Sequence, residues 1–83
     1  MPEPVGQYMT AELAPRQPES GKTMRWIIRN RRSEALLGGV RFYPQWRCYV
    51  FEPETECVFS VGCLRDIADF MERQTAAQKA ERK

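Results

Sequence analysis

Histidine is absent from the 83 residues, and cysteine is sparse at three. The first absence removes the commonest general base and the commonest nitrogen ligand for metals. Cys48, Cys57 and Cys63 form no CxxC pair, whereas a structural zinc needs about four Cys/His ligands at short spacings. The odd number of thiols fits a reducing compartment, where free cysteine behaves as a small hydrophobe. No apolar run approaches the roughly 20 residues needed to cross a bilayer, and no stretch resembles a signal peptide. A phosphate-cradling loop is also missing, because Gly38-Gly39 lacks the lysine and following helix of a P-loop. The acidic run Glu52, Glu54 and Glu56 lacks the other oxygen ligands of a calcium loop and reads as a solvated turn. A cysteine nucleophile would need an activating base and an orienting group, and neither is evident. Cys63 lies near a helix start, where thiol pKa values fall, but it sits on that helix's apolar arc. These absences point to a soluble cytoplasmic protein with no cofactor, no metal, no membrane contact and no catalysis.

The chain is long enough for one small domain with a modest core. Its formal charge of +2 is unevenly spread. Residues 24–33 carry Arg25, Arg29, Arg31 and Arg32 and no acid. Residues 36–73 carry Arg41, Arg47, Arg65 and Arg73 against Glu52, Glu54, Glu56, Asp66, Asp69 and Glu72. The basic character therefore lies in the flanks of the central module, which weakens a reading of the whole fold as a polyanion binder.

Residues 1–23 hold Pro2, Pro4, Pro15 and Pro18 with Gly6 and Gly21 and few large apolar groups. That composition predicts a flexible arm. A single domain is expected over 24–73, with a frayed basic tail over 74–83. Met24 to Asn30 reads as a strand with Trp26 and Ile28 on one side and Arg25, Ile27 and Arg29 on the other. Leu37 to Tyr43 reads as a second strand, Trp46 to Phe51 as a third, and Cys57-Val58-Phe59 as a short fourth. Pro44 calls for a loop slightly longer than a two-residue hairpin turn. Ser60 is placed to cap a helix from Val61, whose Cys63, Leu64, Ile67, Ala68, Phe70 and Met71 span an apolar arc of about 160°. The fold class is α+β: a small antiparallel meander of three to four strands packed on one C-terminal helix.

Setting Tyr43 opposite Trp46 assigns the faces. Val40, Phe42, Tyr49, Phe51 and Val58 share one side with Arg47 and can receive the helix. Arg41, Tyr43, Trp46, Cys48, Val50, Cys57 and Phe59 fall on the other. One helix cannot cover both, so the second face is closed by strand one, by the arm, by a second copy of the chain, or by a partner. Arg41, Tyr43 and Trp46, with Arg25, Arg29, Arg31 and Arg32, are the candidate partner-binding residues. Tryptophan and tyrosine beside arginine are the residue types that dominate protein interface hot spots. The same arginines would also suit DNA phosphates. A three-stranded sheet plus helix, with Gly39-Val40-Arg41 before Trp46-Arg47, resembles AP2-type and integrase arm-binding domains, which insert their sheet into the major groove. Cys57-Val58-Phe59 departs from that pattern in carrying no basic side chain.

The string Trp46-Arg47-x-Tyr49-x-Phe51-x-Pro53, followed by Phe59-x-x-x-Cys63-Leu64-x-Asp66-Ile67-x-x-Phe70, resembles a group of small proteins encoded by bacteriophages and integrated mobile elements. The likeness runs from about Leu37 to Phe70. It implies a phage or prophage accessory protein acting in the cytoplasm of a bacterial host. The group itself has no defined function, but by analogy of gene context proteins of that size and origin often bind and inhibit host machinery, CRISPR and other defence complexes included. The expected function is thus non-enzymatic binding of a host or phage protein, with small-protein DNA binding through the sheet as the alternative.

Overall fold

The computed structural model describes residues 2–19 and 21–81. Five strands, β1 (Glu3–Val5), β2 (Met9–Leu13), β3 (Trp26–Asn30), β4 (Leu36–Tyr43) and β5 (Cys48–Pro53), precede one helix, α1 (Val61–Glu81). The strands pair antiparallel in chain order, so the sheet is a five-stranded meander packed against a C-terminal helix. Among the described residues no helix is long and apolar enough to cross a membrane.

Residues 1–23 are not an arm throughout. Their first half forms β1 and β2, with Val5, Met9 and Ala11 fully buried. The prolines that suggested disorder occupy positions that need no amide. Ala14 donates to the Arg25 carbonyl (2.9 Å) and Arg31 to the Tyr8 carbonyl (2.8 Å), so even-numbered residues of β2 bond to β3. Odd-numbered ones then bond to Glu3 and Val5 of β1, and the nitrogen of Pro4 faces outward. Pro15 and Pro18 lie in the β2–β3 connection. Gly6 makes the β1–β2 turn with φ of +66°, and a Cβ there would run into the Asp66 carboxylate of α1.

The core lies between the sheet and α1: Ile28, Val40, Tyr49, Ile67 and Phe70 join the three residues of the first two strands. Trp26 meets Phe70 edge-on (5.2 Å between centroids), as do Phe42 and Tyr49 (5.6 Å) and Phe51 and Phe59 (5.3 Å). The Phe51 ring lies over Gly38, where a Cβ would come within 2.6 Å of it. No polar or charged residue among those described is fully buried.

Three further expectations give way. Cys57-Val58-Phe59 is not a strand: Glu56 takes φ of +67°, Val58 is 91% exposed, and Phe59 turns to the core side against Phe51. The helix does not fray at residue 74. Its Gln- and Ala-rich last turns have high helix propensity, and the Thr75 hydroxyl accepts a bond from the Tyr49 amide (3.3 Å). Arg82 and Lys83 of the expected tail lie outside the described residues. The β4–β5 register pairs Tyr43 with Cys48, two residues beyond the expected Trp46. Tyr43 accepts from the amides of Trp46 (3.1 Å) and Arg47 (2.9 Å), and Arg47 adopts φ of +56° to close the longer turn. Ser60 caps α1 as expected, its hydroxyl accepting from the Cys63 amide (3.1 Å).

Candidate functional site

Side chains alternate across a strand, so the register that buries Ile28, Val40 and Tyr49 places Thr10, Glu12, Ile27, Arg29, Arg41 and Val50 on the face away from α1. No element of the described chain covers this open face. Its cross-strand rows are chemically distinct. Glu12, Ile27, Gly39 and Glu52 form one row through the middle. Arg25 and Arg41 lie one step beyond it, bordering a shallow depression with Ala14, Gly39 and Glu52. Tyr43 and Cys48 form the last row before the β4–β5 turn that carries Trp46.

At that end the predicted trio is brought together. The Arg41 guanidinium lies 5.3 Å from the Tyr43 ring centroid, and Tyr43 meets Trp46 at 4.8 Å and 64°. Arg41 also pairs with Glu52 at 2.9 Å. Trp46 is 70% exposed, so it is not a core residue, yet the Tyr43 contact and the turn bonds hold it in place. Arg25 joins the trio as its cross-strand neighbour. Arg29 belongs to the middle of the face, bound to Glu12 at 2.7 Å and to the Glu34 carbonyl at 3.2 Å. Arg31 and Arg32 are remote, in the β3–β4 turn at the other end of the sheet. Sequence reasoning missed Glu12, because β2 was not expected. It also missed the two Glu–Arg pairs, which depend on cross-strand register.

The sheet edges offer little to an incoming strand. On β5, Glu54 donates inward to Leu37 (2.9 Å), so odd-numbered amides point outward. Tyr49 is bound by Thr75 and Pro53 has no amide, leaving Phe51 as the strand's one outward donor. On β1 the outward position is Pro4. Proline at both edges blunts strand addition, which directs association to the faces. The three thiols are free and partly buried, and no group of three or more His, Cys, Asp or Glu side chains among the described residues is arranged to hold a metal ion.

Compared with known proteins, the chain matches no family model, no curated protein and no solved structure. The fold itself defines an α+β class: a meander sheet with one face closed by a helix and the other open. The particular role of that open face rests on its own residues.

Proposed function

We propose that this chain is a non-enzymatic phage or mobile-element accessory protein that docks its open sheet face on a host protein complex and modulates it. The observation that carries the reading is the exposed Trp46, backed edge-on by Tyr43, which in turn faces Arg41. Holding an aromatic in place before binding lowers the ordering cost of association. The biological setting rests on the resemblance read from the residues between about Leu37 and Phe70.

A protein partner fits this face better than DNA. A major-groove sheet needs its arginines free for phosphates and base edges, whereas Arg29 and Arg41 each spend a short ion pair on a neighbouring glutamate. The Trp46 end still carries Arg25 and Arg47, which form no ion pair among the described residues, so the complementary surface should be apolar at its centre and acidic at its rim. The test is affinity capture from bacterial host lysate with and without nuclease. Capture should survive nuclease and be lost in folded Trp46→Ala and Arg41→Glu variants. Capture that vanishes with nuclease, or persists in both variants, would overturn the proposal.

A further inference from the structure

The far end of the open face holds a second cluster that the docking reading leaves unused. Continuing the β2–β3 register one step past Met9 and Asn30 sets Tyr8 opposite Arg31, and the Arg31 amide donates to the Tyr8 carbonyl at 2.8 Å. Gln7, Tyr8, Asn30, Arg31 and Arg32 line a cleft of about 550 Å³ between the β1–β2 and β3–β4 turns. From these residues we infer that the cleft binds a nucleoside phosphate, with Tyr8 stacking on the base and Arg31 and Arg32 holding the phosphate.

Four features carry this assignment. Tyr8 is 64% exposed at the end of the β1–β2 turn, just before buried Met9, so its ring presents an uncovered stacking surface. Arg31 and Arg32 make no ion pair with a described residue, in contrast to Arg29, Arg41 and Arg73. The turn bearing them is braced: the Asn30 carboxamide oxygen accepts from the amides of Arg32 (2.9 Å) and Ser33 (3.0 Å), and an Arg31 guanidinium nitrogen donates to the Gly6 carbonyl (3.4 Å). The cleft also falls within the roughly 300–1,000 Å³ range of ligand pockets.

The nearby acids stand outside it. Asp66 meets Gly6 from the helix, and Glu34 follows in the turn, but neither lines the cleft. Stacking on an exposed ring requires an unpaired base, which selects a free nucleotide or a single strand over a duplex. β4 alone runs from Tyr43 to Leu36, about 23 Å at the strand's rise, and the cleft lies at the Leu36 end. The two sites are therefore separable by mutation.

The test titrates the intact protein at low salt with 5′-phosphorylated pentathymidylate, thymidine 5′-monophosphate and inorganic phosphate, following backbone amide NMR shifts. The expected result is saturable binding that shifts Tyr8, Asn30, Arg31 and Arg32 and is unchanged in Trp46→Ala. Tyr8→Ala should weaken it by roughly tenfold, while Tyr8→Phe, which keeps the ring, should retain it. Replacing both arginines by glutamine should abolish binding at the same salt. Equal affinity for the monophosphate and the strand identifies a free nucleotide as the ligand; binding of the strand alone identifies single-stranded nucleic acid. Failure of both to bind, indifference to the arginine substitutions in a folded variant, or inorganic phosphate binding as well as the nucleotide would overturn the assignment.

Discussion

The two faces of this sheet are built from the same strands and solve opposite problems. Toward α1, Ile28, Val40, Ile67 and Phe70 are sealed with no buried charge among them. Away from it, Glu12–Arg29 and Arg41–Glu52 lie in the open beside Tyr43 and Trp46. Burial of apolar area drives folding, so the first face should carry nearly all of the stability. Exposed ion pairs contribute little, so the second face is free to be selected for what it binds. Stability and binding should then separate cleanly by mutation.

The largest effects belong to the covered face. Phe70→Ala removes a fully buried ring that packs edge-on against Trp26 and should cost about 3–5 kcal/mol in denaturant unfolding. For a small domain that is a large part of the total. Met9→Ala should cost about 2–5 kcal/mol, and it also asks whether β2 is integral to the sheet. A loss near zero at Met9 would mean that β1 and β2 add nothing to the cooperative unit, and the contrast between the faces would then hold only from β3 onward.

Most of the sheet was legible because alternation is local. Trp26 and Ile28, Val40 and Phe42, Tyr49 and Phe51 each repeat at a spacing of two, and all face the core side. The face assignments within β4 and β5 survived a wrong hairpin register because the slip was two residues, and an even slip preserves sidedness. β1 and β2 were hidden by proline content, although Met9, Ala11 and Leu13 alternate with Thr10 and Glu12. Composition reports average polarity, whereas the decisive fact is that Pro4 occupies an outward edge position. Phe59 deceived in the opposite direction: it followed apolar neighbours, but positive φ at Glu56 ends any strand there. Arg41, Tyr43 and Trp46 could be grouped from sequence as neighbours in one hairpin. Tyr8 opposite Arg31, and Glu12 beside Arg29, could not, since each needs the β2–β3 pairing.

A smaller effect tests the open face directly. Trp46→Ala should change stability by no more than about 0.5 kcal/mol, because the side chain is mostly in solvent and removing it leaves no cavity. Equilibrium unfolding checks this beside the capture experiment. A cost near that of Phe70→Ala would place Trp46 in the folding unit and remove the distinction between the faces.

The smallest expected effect concerns the glutamates that occupy the open-face arginines. Double-mutant cycles should give coupling energies of about 0.2–1 kcal/mol for each pair, screened by salt. Glu12–Arg29 should show the larger value, because Arg29 is also fixed by the Glu34 carbonyl, while Glu52 is the more exposed acid. Their consequence for binding should exceed their consequence for stability. Replacing Glu12 and Glu52 with glutamine frees two cations on a flat sheet and should give the variant a salt-sensitive affinity for duplex DNA that the natural chain lacks. If the natural chain already binds duplex DNA as well as the glutamine variant does, the ion pairs do not restrain the arginines. The open face would then be a nucleic-acid surface rather than a protein one.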